Sequence, residues 1–352
     1  MVGMPAPAGP EPQPPGAEVE PDRPLGTRAL ERIKELDHLH RLRLHGPWQS
    51  GAALVASLRF LRTALRHLVR APLRPPVASV PRPAPGALAV TLVGHASVLM
   101  STSETRLLTD PMLADFLWGL RRARAAALAP EDATEVSLVL ISHAHADHLH
   151  VPSLRRLPRT CTVVVPPGCA DLVEPLGFAR VVTIEPGQEL PHRDLMITSV
   201  PARHDGSRPF DRKGVFRGAC GYVVRAGGVS VYFAGDTGYF SGFEEIGRRL
   251  RPEVALLPIS GYEPLPLRET HMSPLDALYA FEDLGARVLV PIAHGSFPLG
   301  YEAHDEALGW LTELCAARGW QARLAALAHG ESCVLRAERG AVATVDGPPS
   351  LG

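Results

Sequence analysis

The 352-residue chain has little cysteine, almost no net charge and no long apolar run, and each shortage excludes a class of protein. Its five cysteines, Cys161, Cys169, Cys220, Cys315 and Cys333, are odd in number and include no C-x-x-C pair. Neither a disulfide framework nor a thiolate zinc site is indicated, and a reducing compartment is the simpler expectation. A formal charge of -1, from 36 Lys+Arg and 37 Asp+Glu, argues against a general polyanion binder, so no nucleic-acid partner is expected. No run of eighteen apolar residues suggests a membrane span. The opening "MVGMPAPAGPEPQPPGAEVE" lacks the charged start and apolar core of a secretory leader, so a cytoplasmic protein is expected. What the chain does hold is 45% hydrophobic residues, enough at this length to bury a sizeable core.

Composition divides the chain. Residues 1–24 are rich in Pro, Gly, Ala and acids, cannot offset chain entropy by burial, and are expected to be disordered. Residues 25–86 form a basic helical extension and linker. Leu54, Leu58, Leu61, Leu65 and Leu68 recur at three- and four-residue steps beside Arg59, Arg62, Arg66 and Arg70, and no carboxylate occurs between Asp37 and Glu104. Segment 28–74 therefore either lies on an anionic membrane surface, peripheral to its inner face, or packs on the domain with its arginines in water; the two are compatible. The Pro-rich "RAPLRPPVASVPRPAPG" (70–86) reads as a linker. Residues 87–340 are the expected hydrolase domain, and 341–352 a flexible tail. Within the domain, "ALAVTLVG", "SLVLIS", "CTVVVP", "VSVYFAG", "EVALLPI" and "RVLVPIAH" are short apolar runs, as buried strands covered by helices require.

Polar residues cluster behind these strands. In "SHAHADHLH" (142–150), His143 and His145 are two apart and project to one side of an extended loop, so they can chelate one ion; Asp147 and His148 are free to aim at a second. Two ions need a carboxylate between them, and Asp236 in "YFAGDTGYF" stands on a Gly-flanked turn behind a strand. One histidine per ion remains to be supplied, and His204 in "SVPARHDG" and His294 in "LVPIAHGS" lie at strand ends. The expected sets are His143, His145 and His204 at one ion and Asp147, His148 and His294 at the other, with Asp236 shared. Zinc is the expected metal, with iron or manganese as alternatives. Two such ions lower the pKa of a shared water from 15.7 toward about 7, which points to hydrolysis.

These motifs, in this order, resemble the metallo-β-lactamase fold. The closer resemblance is to the N-acylphosphatidylethanolamine-hydrolysing phospholipase D group and its bacterial relatives. It rests on "VGHASVLM" (93–100), "LLTDPML" (107–113), "FAGDTGYFSGFEEIGRRL" (233–250), "LPISGYEPL" (257–265), "HMSP" (271–274) and "IAHGSF" (292–297), and covers roughly 88–310. The ascorbate-6-phosphate lactonase group shares much of it. The resemblance implies an αββα sandwich, two mixed β-sheets face to face with helices on both outer faces, and a site where loops of both sheets meet. It makes His95 a pocket-wall residue, and Asp110 the acceptor of a ligating histidine's second N–H. It puts His271 on the substrate side, where it could protonate the leaving group, with Tyr262 near the pocket. Asp147 and His271 are the expected catalytic residues. The group usually has an extra residue between its last histidine and the glycine; here Gly295 follows His294 directly. The expected substrate is a phosphodiester, a phospholipid of that kind. A lactone or small soluble phosphorylated metabolite is the alternative, and a non-catalytic metal-binding protein the second. His38, His40, His45, His67, His150, His192, His304 and His329 are expected to be solvated residues and not ligands.

Overall fold

In the computed structural model, residues 61, 62, 65, 71–75, 80–208 and 211–336 are described. The expected disordered tail, almost all of the extension and the C-terminal tail lie outside them; Leu61, Arg62 and Leu65 are helical and exposed. Among the described residues no helix is long and apolar enough to cross a membrane.

A seven-stranded sheet contains β1 (Ala87–Gly94), β2 (Ser97–Ser101), β3 (Arg106–Thr109), β6 (Leu138–Leu140), β7 (Thr162–Val165), β8 (Arg180–Thr183) and β15 (Ser332–Arg336). A six-stranded sheet contains β9 (Glu189–His192), β10 (Leu195–Pro201), β11 (Cys220–Ala226), β12 (Val229–Phe233), β13 (Val254–Pro258) and β14 (Val288–Ile292). Both are mixed, with β4 (Phe116–Leu117) and β5 (Leu120–Arg121) forming a separate hairpin.

The period-two geometry of a strand explains why these runs are continuously apolar. On β13, Val254 and Leu256 join Leu88, Val90 and Leu138 of the other sheet in a core between the sheets. Ala255 and Leu257 face the opposite way, against Phe243 and Ile246 of α3 (Gly242–Leu250), Leu278 and Phe281 of α4 (Pro274–Leu284), and Leu311 of α5 (Glu306–Ala317). Val139 and Val163 turn outward, toward Leu154 of α2 (Val151–Leu154); α1 is Pro130–Thr134. This is the αββα sandwich expected from the sequence. Pro291 is accommodated because β14 is a sheet edge.

Strand direction places the site. Asp110 follows β3 and residues 142–149 follow β6, which runs parallel to β3. In the other sheet His204 follows β10 and Asp236 follows β12; both strands are antiparallel to β11 and so point the same way. Residues 71–75 also lie against the domain: Leu73 N–H donates to Ala123 O (2.9 Å) and Ala125 N–H to Leu73 O (2.8 Å).

Candidate metal centre

The donor loop is held from both sheets. Asp110, fully buried, accepts from Ser142 N–H (2.7 Å), from Ser142 Oγ (2.5 Å) and from His148 Nδ1 (2.7 Å). Tyr222 Oη, from the facing sheet, donates to Ile141 O (2.8 Å). The Arg208 guanidinium donates to Ala144 O and to Leu149 O, the latter at 2.5 Å, closing the loop from outside. Behind β12 the chain passes so near that a Cβ on Gly235 (φ 62°) would lie 2.3 Å from Ser142 Cβ, so only glycine brings Asp236 to this loop.

Four overlapping groups have donor atoms within 4.8 Å of one another: His143, His145 and His204; His95, Asp147 and His148; Asp110, His143 and His148; His204, Asp236 and His271. His204 Nε2 is 3.1 Å from His145 Nδ1, while its own Nδ1 is held by Thr270 O (2.8 Å). His148 Nε2 is 3.4 Å from Asp147 Oδ2 and 3.1 Å from Asp236 Oδ2, yet aligned for a hydrogen bond with neither. His143 Nε2 is likewise buried without a hydrogen-bond partner, its Nδ1 lying 2.9 Å from Ser142 Oγ. A buried imidazole with one nitrogen anchored and the other unpaired fits a divalent cation.

The electrostatics agree for the set of His143, His145 and His204. Burial holds His143 well below its ordinary pKa, lowers that of His145 and brings His204 to about 4, so all three are neutral donors at pH 7. Burial works against the carboxylates of Asp147 and Asp236, but the neighbouring histidines, chiefly His148, overcome it and keep both ionised. His148 and His271 go the other way: the penalty of burial is outweighed by Asp236, so both hold a proton more strongly than a free histidine. His271 Nε2 is 3.5 Å from Asp236 Oδ2. It stands just ahead of the box that starts α4, in which Ser273 accepts from Asp276 N–H and Asp276 from Ser273 N–H (2.8 Å).

Of the residues expected from the sequence, His143, His145, His204, Asp147, His148 and Asp236 converge, with Asp110 behind them. His271 joins them more closely than its expected substrate-side place. His294 belongs to none of the four groups. The groups acting on its ring are Pro291 O, Arg124, His304 and His95, and burial lowers its pKa to about 4. The cause is local: Ala293 (φ 56°) occupies the position two before Gly295. Tyr262 is a core residue instead of a pocket one, its ring 5.9 Å from Trp310 and its hydroxyl 3.4 Å from Glu306 Oε1. Its neighbour Gly261 (φ 80°) is the one that approaches the His271 ring. His329, expected to be solvated, is buried.

A basic cluster beside the centre escaped sequence reasoning because its parts are scattered. Arg122 is 0% exposed and donates from Nη1 to Met112 O (2.9 Å), with Nε and Nη2 unpaired; burial lowers its pKa to about 10 despite Asp115. Arg124 lies over Gly295, where a Cβ would be 2.9 Å from its Nη1, and makes no hydrogen bond or ion pair with the described residues. His329 donates from Nδ1 to Ala125 O (3.2 Å); burial, reinforced by Arg122, brings its pKa to about 3. Unfolded, this histidine takes its proton near pH 6.5, so below that pH the unfolded chain binds more protons and stability falls with the pH toward about 3. His329→Gln is expected to flatten the decline of the urea midpoint between about pH 6.5 and 4.5, removing roughly 2 kcal/mol of pH dependence. Equal slopes in variant and wild type would show that His329 is not held neutral.

Comparison with known proteins accords with this arrangement. The model of the beta-lactamase superfamily domain matches residues 105–294. An uncharacterized protein of Mycobacterium tuberculosis is 31% identical over 250 residues, and the match spans 66% of each chain. A UPF0173 metal-dependent hydrolase of Methanocorpusculum labreanum is 31% identical over 211 residues, 59% of this chain and 84% of the relative. The N-acyl-phosphatidylethanolamine-hydrolyzing phospholipase D 1 of Caenorhabditis elegans is 29% identical over 252 residues, 66% of this chain and 70% of the relative. Among solved structures, Igni18, a metallo hydrolase of the archaeon Ignicoccus hospitalis, superposes with a TM-score of 0.56 at 24% identity, over 72% of this chain and 100% of that one. With the superfamily model over more than half its length and its donor groups assembled where two mixed sheets meet, the chain belongs to the metallo-β-lactamase superfamily, among its metal-dependent hydrolases.

Proposed function

We propose that the protein is a dinuclear phosphodiesterase of phospholipase D type, acting on an N-acylphosphatidylethanolamine-like lipid at a membrane surface, with zinc as the preferred metal. The observation that carries the lipid reading is the β4–β5 hairpin. Leu117 packs with Met112 and Phe297, against Ala146 of the donor loop, so the hairpin is part of the pocket surround. Its neighbours Phe116 and Trp118 point outward, 50% and 69% exposed, close to the exposed Leu73, Arg74 and Arg124. Aromatic residues interleaved with arginine suit the boundary between headgroups and acyl chains. The likeness to the Caenorhabditis elegans phospholipase D supports the same choice.

Two divalent ions bound by the donor sets would acidify water and neutralise phosphate charge. His143, His145 and His204 would hold one, Asp147 and His148 the other, with Asp236 between them. The protein's own groups do the rest. Arg124 and the Arg122 charge beneath it attract a phosphodiester. His271, whose Nε2 lies 3.5 Å from Asp236 Oδ2, would donate a proton to the leaving oxygen.

The test is mass-spectrometric analysis of N-acylphosphatidylethanolamine in mixed micelles, with Asp147→Ala as control. Phosphatidic acid released by wild type alone is the expected result. No turnover of the lipid by fully metallated enzyme that cleaves a soluble diester would replace this reading with a soluble phosphorylated metabolite or a lactone. Replacing Phe116 and Trp118 by serine is expected to weaken binding to anionic vesicles about tenfold or more, while hydrolysis of a soluble diester is unchanged. Unaltered vesicle binding would remove the hairpin from the membrane.

A further inference from the structure

The resemblance noted in the sequence places a ligating histidine two residues before the glycine, and this chain has Ala293 there. His294 Nε2 is buried without a hydrogen-bond partner, yet it lies outside every group of converging donors among the described residues. The donor group around Asp147 nevertheless contains a second imidazole. His95 Nε2 is 3.0 Å from Asp147 Oδ2, the same oxygen that lies 3.4 Å from His148 Nε2. Its ring centroid is 5.1 Å from that of His148. We infer that His95 is the replacement ligand: the second ion is held by His95, Asp147, His148 and Asp236, and His294 is released from metal binding to the basic cluster that faces the substrate. This inference rests on the two-ion reading above.

The backbone around His95 is built for this task. His95 has φ 59° and Ala293 φ 56°, both in the left-handed region that non-glycine residues rarely adopt. The two strained residues are tied together: Ala293 N–H donates to His95 O (3.1 Å), and His95 N–H donates to Ser296 Oγ (2.7 Å). Ser296 Oγ is in turn 3.4 Å from His329 Nε2, whose other nitrogen is fixed by Ala125 O. Phe297 meets the His95 ring at 5.9 Å and 87°, fixing its plane. Segment 293–297 thus still serves the second ion, by clamping the residue that supplies the imidazole instead of supplying one itself. His95 is 3% exposed, and its Nε2, paired with Asp147 Oδ2, meets the oxygen that the unpaired Nε2 of His148 also approaches.

Metal content decides it. Wild type, His95→Asn and His294→Gln are reconstituted with zinc, desalted and read by elemental mass spectrometry, with second-site affinity from competition against a chelator. Asparagine is chosen because it tolerates the left-handed backbone. Wild type and His294→Gln should keep two ions; His95→Asn should keep about one, its second-site affinity falling by more than the roughly 10–100-fold expected of a residue that merely orients a ligand. Two ions in His95→Asn with affinity inside that range would make His95 an orienting hydrogen-bond partner and overturn the inference, as would loss of an ion from His294→Gln. Fewer than two ions in wild type would sink the two-ion reading itself. If His95→Asn does not fold, cadmium-loaded wild type with nitrogen-labelled histidine gives the answer. One-bond cadmium–nitrogen coupling is expected at His95 Nε2 and not at His294; the reverse pattern overturns the inference.

Discussion

Asp236→Ala is expected to reduce bound metal from two ions to one or none, and to lower kcat/KM by about 10⁴-fold, roughly 5.5 kcal/mol of transition-state stabilisation. Its carboxylate reaches both donor sets: it shares a group with His204 and His271 and lies 3.1 Å from His148 Nε2. On the two-ion proposal, removing it would leave the charge of two close cations uncompensated. Burial of the remaining imidazoles does not offset that, because neutral donors carry no negative charge. Elemental analysis of the desalted variant, with kinetics on a soluble diester in excess zinc, checks both halves. A variant that binds two ions and turns over within tenfold of wild type would remove Asp236 from the bridging place.

Asp110→Ala should act on the fold and the centre together. Asp110 accepts three hydrogen bonds, from Ser142 N–H, Ser142 Oγ and His148 Nδ1, all in fully buried surroundings. Alanine strands these donors, at about 1–3 kcal/mol for each one that water cannot reach, so a loss of roughly 3–5 kcal/mol is expected in urea titrations. It also frees the His148 ring to rotate, which should weaken metal binding about 10–100-fold. Asp110→Asn is the informative companion. It keeps the volume but has one acceptor oxygen, which in the place of Oδ2 still serves Ser142 Oγ and His148 Nδ1 without a negative charge while its NH2 faces Ser142 N–H, so it should recover part of the stability and part of the metal affinity. Equal affinity in Asp110→Asn and wild type would show that His148 needs no charged acceptor at Nδ1.

The residues of the centre that the structure brings together as the sequence placed them are those in which chemistry and local geometry coincide. His143, His145, Asp147 and His148 share one loop, and Asp236 and His204 each stand behind a strand whose apolar run is unmistakable. The strands β1, β6, β7, β12, β13 and β14 were legible because both faces are buried and the runs are continuous. The edge strands β8 and β9, "RVVT" and "ELPH", carry no such signal. His294 stands outside the converging donors for a different reason: it lies in an irregular segment beside the left-handed Ala293, where composition does not tell which way a side chain points. Tyr262 lies in the core, next to Gly261. His95, Arg122 and His329 meet at the centre from positions more than 200 residues apart at the extremes, a convergence produced by strand order alone.

The division of donors between the sheets gives bound metal a mechanical meaning. His95, Asp110 and the 143–148 loop hang from the seven-stranded sheet, whereas His204 and Asp236 hang from the six-stranded one, and Gly235 nests against Ser142 at the seam. A cation gripped by both sets is a rivet through the open edge of the sandwich. Each hundredfold excess of free metal over its dissociation constant adds about 2.7 kcal/mol against the sheets parting. Scarcity of metal would therefore register first as a loosening of the two layers, so the supply of one ion sets the lifetime of the fold as well as its chemistry.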